Sequence, residues 1–257
     1  MLCRMSAALS FIVLSACGGG GGSTTPAVEY HDLADPTYKG TTATVTISVR
    51  AEPGSLQFGS ATYDHASQTI LVGGEQIRLS STGVAADLDN VLAVDDDLSL
   101  VGDLVLIAQE TPFADLPTNT SVTYHGTAFV GVSDGTMTYY GTMNAAVTVG
   151  FDGADMVHIN LSEFVPDEDT ISYDDSKDAL IEFRDLNRDG SRFSTDFSAD
   201  GATATATGWN GSDVNLLQGS LVGEVGGVLA GPSADEIAGA GYVQGSNGSV
   251  LVIFGAQ

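Results

Sequence analysis

Residues 219–257 read GSLVGEVGGVLAGPSADEIAGAGYVQGSNGSVLVIFGAQ, and this stretch predicts three consecutive β-strands. Gly231 and Pro232 favour a turn between the first two apolar runs, because glycine adopts positive φ freely and proline fixes its own φ. Asn247-Gly248 is typical of a tight hairpin turn into the last run. Glycines inside the runs mark positions where a packed backbone leaves no room for a Cβ atom. They are Gly227, Gly239 and Gly241.

This stretch resembles the carboxy-terminal signature of the transferrin-binding protein B-like lipoproteins of Gram-negative bacteria, G-x-F-Y-G-P-x-A-x-E-x-G-G-x-F followed by a strand that ends in F-G-A. The matching residues are Gly227, Gly231, Pro232, Ala234, Glu236, Gly239, Phe254, Gly255 and Ala256. The departures are Leu229 and Ala230 at the two aromatic positions, Ala238 at one glycine, and Tyr242 near the last aromatic. Residues 116–126, LPTNTSVTYHG, are similar to the opening barrel strand of the family, L-P-x-x-G-x-x-x-Y-x-G.

The two motifs bracket residues 116–257, which predict an eight-stranded antiparallel up-and-down β-barrel. Asx-Gly pairs, the strongest short-range signal for a hairpin, divide this part of the chain into runs of alternating polarity. The pairs are Asp134-Gly135, Asp152-Gly153, Asp189-Gly190, Asp200-Gly201, Asn210-Gly211 and Asn247-Gly248. A barrel of this size is filled by side chains and forms no channel. We expect residues 116–257 to fold alone as a soluble monomer.

Residues 28–115 predict a smaller β-rich section, and the family resemblance implies a handle-like subdomain before the barrel. Residues 43–50 alternate cleanly, with Val45, Ile47 and Val49 on one face of a strand. Residues 85–97 carry five aspartates between apolar residues. We interpret them as a solvated acidic loop, and a cation site is the alternative. The whole chain is therefore predicted to be all-β.

The beginning of the chain has the pattern of a bacterial lipoprotein leader. Residues 1–16 combine Arg4 with an apolar segment too short to span a bilayer, and LSAC at residues 14–17 matches the lipobox. The thiol of Cys17 would carry the lipid, and fatty acyl chains such as palmitate would then anchor the protein to the membrane. An ordinary secretory peptide is the alternative. The rest of residues 17–27 is a glycine-rich tether.

Charge limits the partners of the mature chain. Loss of the leader removes Arg4, so seven Lys and Arg residues remain against 33 Asp and Glu residues, a net charge of −26. Such a charge repels nucleic acid and anionic headgroups, which excludes both as partners. It either keeps a surface protein soluble or favours cationic partners and divalent ions.

No catalytic motif occurs in the sequence. The histidines, His31, His65, His125 and His158, fall in separate segments without the spacing of metal ligands. There is no G-x-S-x-G, no H-E-x-x-H and no P-loop. The sequence therefore predicts a protein that is not an enzyme.

One polar loop, residues 185–196, has the oxygen-ligand spacing of a calcium-binding loop. Oxygen-bearing side chains occupy its first, third, fifth and twelfth positions, and Gly190 occupies the sixth. These tentative Ca²⁺ ligands are Asp185, Asn187, Asp189 and Asp196. The twelfth position is Asp instead of the longer Glu, and the flanks predict strands, so a polar hairpin turning at Asp189-Gly190 is the alternative. Ca²⁺ is the only cofactor that the sequence suggests.

The resemblance implies a binding module, because relatives capture iron-carrying, haem-carrying or complement-regulating host proteins through loops at the barrel and handle tips. We therefore expect an outer-membrane lipoprotein, anchored through Cys17, that binds a protein or an iron- or haem-carrying ligand. The alternative is a structural or envelope-associated lipoprotein without a capture role. The sequence leaves open whether it faces the cell surface or the periplasm.

Overall fold

The computed structural model describes residues 33, 35, 37–48, 56–67, 69–72, 75–81, 88, 91–96, 103–153, 155–166, 178–209 and 211–257. Within these residues the chain is almost entirely β, with one 3-10 turn at Phe113–Asp115. The strands are β1 (Lys39–Ser48), β2 (Gln57–Asp64), β3 (Thr69–Val72), β4 (Glu75–Ser81), β5 (Val91–Asp96), β6 (Asp103–Ala108), β7 (Ser121–Ser133), β8 (Thr138–Gly150), β9 (Met156–Pro166), β10 (Leu180–Asp189), β11 (Arg192–Asp196), β12 (Thr203–Thr207), β13 (Val222–Ala230), β14 (Glu236–Gln244) and β15 (Ser249–Ala256). A helix long and apolar enough to cross a bilayer is not found in this described part.

The C-terminal part of the chain forms a closed antiparallel barrel of eight strands, as predicted. The order around the ring is β11, β13, β14, β15, β7, β8, β9 and β10. β10 closes the ring on β11 through the register pairs Arg188–Phe193 and Asp189–Arg192. β12 pairs with the first half of β10, so β11 and β12 together fill one position beside that strand.

The barrel is filled by the inward side chains of its strands. Val147 and Val149 of β8 and Ile159 of β9 are buried in a single core cluster, so the predicted alternation of these strands is confirmed. Ala204 and Ala206 of β12 face the same core, and Thr203, Thr205 and Thr207, which alternate with them, face outward. The interior therefore contains packed side chains, as expected for a ring of this size.

The handle-like section is itself a closed ring, formed by β1 to β6 in chain order with β6 paired back to β1. Its described core includes Tyr63, Ile70 and Ile107. β1 has buried residues on both of its faces. On one face, Thr42 lies opposite Ala61 and Thr44 lies opposite Ile107, and all four are buried. On the other face, Val45 packs against the eight-stranded barrel.

The predicted acidic loop at residues 85–97 is wrong in part. Residues 91–96, VLAVDD, form β5, which pairs with β4 on one side and with β6 on the other. Asp95 lies opposite Ser80 and Leu104 within this sheet. The short apolar run pairs as a strand because tertiary neighbours on both sides outweigh the weak strand preference of its aspartates.

The outer surface of β13–β15, which we call the covered wall, packs against the handle-like ring. Val45, Leu88 and Leu106 of the ring share a buried cluster with outward residues of the covered wall. Those residues are Val228, Ala230, Ala238, Ala240, Tyr242, Leu251 and Ile253. The covered wall is therefore buried on both faces, by the barrel core inside and by the handle-like ring outside.

The two sequence motifs meet where β7 pairs with β15. Gly126 lies opposite Ala256, and a Cβ at Gly126 would approach the carbonyl oxygen of Gly255 to 2.0 Å. The buried hydroxyl of Tyr124 donates a hydrogen bond of 2.5 Å to the carbonyl of Ala234, just after the Gly-Pro turn. The two motifs thus have a common structural role, the closure of the barrel between its first and last strands.

Candidate ligand-binding face

The tentative calcium ligands lie along a β-hairpin. Asp185, Asn187 and Asp189 belong to β10, and Asp196 ends β11. Gly190, with a φ of 63°, turns the chain between the two strands. The flanks are therefore strands, and the turn lies where the hairpin alternative places it.

The polar groups of this hairpin have local partners. The amide of Asp185 donates to Nδ1 of His158 at 3.2 Å, and the amide of Asn187 donates to Oγ1 of Thr195 at 2.8 Å. The hydroxyl and amide of Ser198 donate to the Asp196 carboxylate, which lowers its pKa. Among described residues, no three His, Cys, Asp or Glu side chains are gathered as metal ligands. The calcium site remains a prediction that this arrangement does not support.

The predictions for the beginning of the chain concern residues outside the described part. Cys17 with its lipobox and the glycine-rich tether belong there, so lipidation stays a prediction. His31 also lies outside it. Of the described histidines, His65 contacts the hydroxyl of Tyr63 and the carbonyl of Leu33, at 3.0 and 2.9 Å.

One end of the eight-stranded barrel, which we call the loop end, brings three connections together. These are residues 134–137, 211–221 and 245–248. The amide of Ser246 donates to the carbonyl of Gln218 at 2.8 Å, which joins the second and third connections. The connections enclose a cleft of about 650 Å³. Its lining includes Asp134, Thr136, Trp209, Val214, Gln244 and Asn247.

The first connection is held rigidly by Asp134. Its carboxylate accepts hydrogen bonds from the amides of Thr136 and Met137, both 2.8 Å long, and from the hydroxyl of Tyr139, 2.9 Å long. The Thr136 hydroxyl donates a further bond, and together these donors lower the pKa of Asp134 to about 2. Burial, followed by the neighbouring Asp134, raises the pKa of Tyr139 to about 12.

Apolar groups lie beside these polar ones at the loop end. Trp209 packs against Tyr139 and Phe164, with ring centroids 6.0 and 4.9 Å away, and its indole Nε1 has no hydrogen-bond partner among the described residues. Met137 and Val214 are about half exposed, at 49% and 51%. Aromatic and methionine side chains beside polar groups are typical of the central part of binding surfaces.

The opposite end of the barrel, which we call the junction end, is closed by ion pairs. Arg192 donates to the carboxylate of Glu110 at 2.8 and 2.6 Å, and the Ser191 hydroxyl donates to it at 2.5 Å. Burial alone would raise the pKa of Glu110, but these donors outweigh it and hold the pKa below its usual range. Glu110 lies on the connection from the handle-like ring, so the contact ties that connection to the barrel. Glu110 and Arg192 also line a second cleft of about 660 Å³.

Arg188 caps the barrel core at the junction end. Its guanidinium pairs with the carboxylate of Asp155, donates to the carbonyl of Gly150 at 3.1 Å and lies 4.7 Å from the ring centroid of Phe151. The side chain is only 5% exposed. A positive charge inside the hairpin 185–196 is thus explained by the core that it covers.

The loop-end residues and the Glu110–Arg192 contact are functional candidates that only the structure brings together. At the loop end the sequence does contain two signals, because Trp209 is the only tryptophan in the chain and Asp134-Gly135 predicts a turn. Nothing in the spacing of Glu110 and Arg192 indicates that they meet. Their contact depends on how the two rings pack.

Comparison with known proteins identifies the fold. No family model matches the sequence, and no curated protein matches it. A point mutant of transferrin-binding protein B from Haemophilus parasuis has 14% identity and a TM-score of 0.53, over 84% of this chain and 45% of its own. Transferrin-binding protein B from serogroup B Neisseria meningitidis has 17% identity and a TM-score of 0.52, over 84% of this chain and 43% of its own. An intact transferrin-binding protein B with N and C lobes has 15% identity and a TM-score of 0.52, over 84% of this chain and 45% of its own.

This chain spans less than half the length of these three solved structures. At this level of identity the likeness concerns the fold alone. The likeness agrees with the motifs at residues 116–126 and 219–257. The fold of this chain is therefore similar to that of transferrin-binding protein B.

Proposed function

We propose that this chain is a lipid-anchored outer-membrane protein, displayed at the cell surface, that binds a protein ligand at its loop end. The observation that carries the proposal is the fold, which is similar to that of proteins whose name describes transferrin binding. The lipobox at Cys17 supports the anchor, because several acyl chains on one cysteine give stable membrane attachment.

The loop end supports the place of binding. It combines half-exposed Met137 and Val214 with the polar groups that line the cleft around Trp209. The hydrogen bonds of Asp134 hold one side of this face in a single conformation, which lowers the entropic cost of binding. The proposed ligand is a host protein of the iron- or haem-carrying class. The proposed role of this chain is to bind that ligand and not to catalyse a reaction.

The first experiment asks where the protein faces. Intact cells that carry wild type or Cys17→Ala are treated with protease, and membranes are then separated from soluble protein. We expect the wild-type chain to be cleaved on intact cells and Cys17→Ala to leave the membrane fraction. Protection in intact cells but cleavage after permeabilisation would contradict surface display and favour a structural envelope protein.

The second experiment asks what binds. Purified full-length protein is immobilised in detergent and exposed to iron-loaded and iron-free transferrin and, separately, to fractionated host serum. We expect one defined protein to be retained and its affinity to fall at least about tenfold in a Met137→Asp and Val214→Asp variant. Thr123→Asp, on the exposed face of β7, is the matched control. Equal retention by both variants would show that the loop end is not the binding face.

A further inference from the structure

A second apolar surface begins under the handle-like ring and extends beyond it. The register places Ile253, Phe129, Thr142 and Val165 side by side across β15, β7, β8 and β9, all facing outward. Ile253 is 3% exposed beneath the handle-like ring, whereas Val165 at the other end is 52% exposed. The band therefore continues an existing internal interface into solvent.

The adjacent row of the same strands adds an aromatic ring to this band. Leu251 lies opposite Gly131, and Gly131 lies opposite Tyr140, which is 44% exposed. We call the part of both rows that lies on β7–β9, Phe129, Gly131, Tyr140, Thr142 and Val165, the outer patch. Tyr140 and Val165 are exposed, Phe129 and Thr142 are half-buried and Gly131 is buried.

Tyr140 is held in place before any partner arrives. Its ring stacks on Phe129, with centroids 6.3 Å apart and planes 15° from parallel. A Cβ at Gly131 would lie 3.0 Å from a ring atom of Tyr140, so the glycine allows the ring to lie against the strand. An exposed tyrosine that is already ordered loses little entropy on binding, and tyrosine is enriched among residues that dominate binding energy.

The outer patch contains no charged residue, but acidic groups lie around it. Glu163 on β9 is exposed and accepts a hydrogen bond of 2.7 Å from Asn144, one row away. Asp134 lies in the turn that follows β7. The mature chain carries a net charge of −26, as calculated above. Two copies of such a chain repel each other, and so do the chain and an anionic lipid surface.

We propose that the outer patch is a docking site for a second polypeptide whose apolar side chains are flanked by lysine or arginine. The apolar rows would receive the apolar side chains, and the surrounding carboxylates would attract the basic ones. The barrel is closed, so this partner is recognised through side chains and adds no strand. The inference goes beyond the proposed function, because the apolar residues of the outer patch lie on strands β7–β9 and not on the connections of the loop end.

The test selects partners from a displayed library of random peptides with full-length protein in detergent. Recovered peptides are then measured against wild type, a Tyr140→Ser and Val165→Ser variant, and the matched control Ala146→Ser, which faces outward on β8 away from the patch. We expect peptides that combine aromatic or aliphatic residues with Lys or Arg. They should bind wild type and Ala146→Ser equally and the double variant at least about tenfold more weakly.

Other results would overturn the proposal. Recovered peptides that bind all three proteins equally, peptides without basic residues, or no enriched peptide would each do so. Two further measurements test other occupants. Self-association of wild type in sedimentation, lost in the double variant, would assign the patch to a second copy. Binding of wild type to vesicles of phosphatidylcholine and phosphatidylglycerol, lost in the double variant, would assign it to lipid.

Discussion

The eight-stranded barrel has two walls that share one core but differ in their outer faces. The covered wall, β13–β15, has buried alanines, tyrosine and aliphatic residues outside because the handle-like ring lies against it. The opposite wall, β7–β9, which we call the open wall, alternates buried and accessible positions over most of its length. A single barrel thus contains an internal strand pattern and a surface strand pattern, and the neighbour outside determines which one a strand follows.

This difference explains where the family-like signature lies. A strand that is buried on both faces reads as a nearly continuous apolar run, and close contacts on both sides favour glycine. Gly226 faces Leu56 and Phe58 of the handle-like section, whereas Gly227 faces Phe193 in the core. The open wall has fewer such contacts, and its one family-like motif, at residues 116–126, lies where β7 pairs with the covered wall.

The largest expected difference between the two walls is in how much stability the protein loses when a charged residue is introduced on the outer face. Ala240 lies on the covered wall and is 1% exposed. Ala240→Glu would bury an unpaired carboxylate between the two rings and should lower the free energy of unfolding by about 3–5 kcal/mol. Thr123→Glu, on the exposed face of the open wall, should change it by no more than about 0.5 kcal/mol. Urea denaturation followed by circular dichroism measures both. Similar losses of stability in the two variants would mean that the handle-like ring does not bury the outer face of β13–β15.

Adding one methyl group gives a smaller contrast. Gly227→Ala would place a Cβ 2.1 Å from the carbonyl oxygen of Ala238 and 2.5 Å from the Phe193 ring, and should cost about 1–3 kcal/mol. Gly131→Ala, on the open wall, would place a Cβ 3.0 Å from the ring of Tyr140 and 3.7 Å from Leu251, and no backbone atom is among these nearest contacts. We expect its melting temperature to stay close to that of wild type. A larger loss for Gly131→Ala would reverse the comparison.

The stability that the Glu110–Arg192 contact gives to the junction between the barrel and the handle-like ring should depend on pH. The pKa of Glu110 is lower in the folded state, so its contribution to stability is present above its unfolded pKa and is lost as the pH falls through the folded value. Glu110→Gln should therefore cost about 1–2 kcal/mol at neutral pH. That difference from wild type should vanish in acid.

Denaturation curves at several pH values test this prediction, with Glu163→Gln as control. Glu163 is exposed on the open wall and is bonded to Asn144. A wild-type advantage over Glu110→Gln that persists unchanged in acid would show that the Arg192 contact does not stabilise the fold.

The smallest expected effect concerns calcium. Asp185, Asp189 and Asp196 are not gathered as metal ligands, so Ca²⁺ and Mg²⁺ at equal ionic strength should raise the melting temperature equally, through screening alone. A shift specific to Ca²⁺ that disappears in Asp185→Ala with Asp189→Ala would restore the calcium site predicted from residues 185–196.

Much of the barrel could be predicted from the sequence because its signals are local. Asp134-Gly135, Asp152-Gly153 and Asp189-Gly190 mark three turns, and each glycine has positive φ. The two motifs indicate closure because Tyr124 and Ala234 must meet. In each case the residue type is required by the backbone within a few residues or by one strand pairing.

The remainder depends on contacts between distant segments, which periodicity does not encode. Thr42 and Thr44 form a polar face in the sequence and nevertheless lie inside the first ring. β5 pairs despite its aspartates because β4 and β6 lie on either side. The loop-end cleft combines residues from three connections, so no single stretch of sequence could indicate it.

The covered wall is tested most directly by removing its cover. Residues 109–257 contain the whole barrel, and without the handle-like ring they would expose Tyr242, Leu251 and Ile253 as one apolar surface. The sequence alone suggested a soluble monomer for this part. The structure instead predicts concentration-dependent self-association in sedimentation and binding of a hydrophobic dye.

Both signals should fall when Tyr242, Leu251 and Ile253 are replaced by Ser in the isolated barrel. The full chain, in which the face is covered, should be monomeric and should bind little dye. An isolated barrel that remains monomeric without dye binding would contradict the account, because the outer face of β13–β15 would then need no cover.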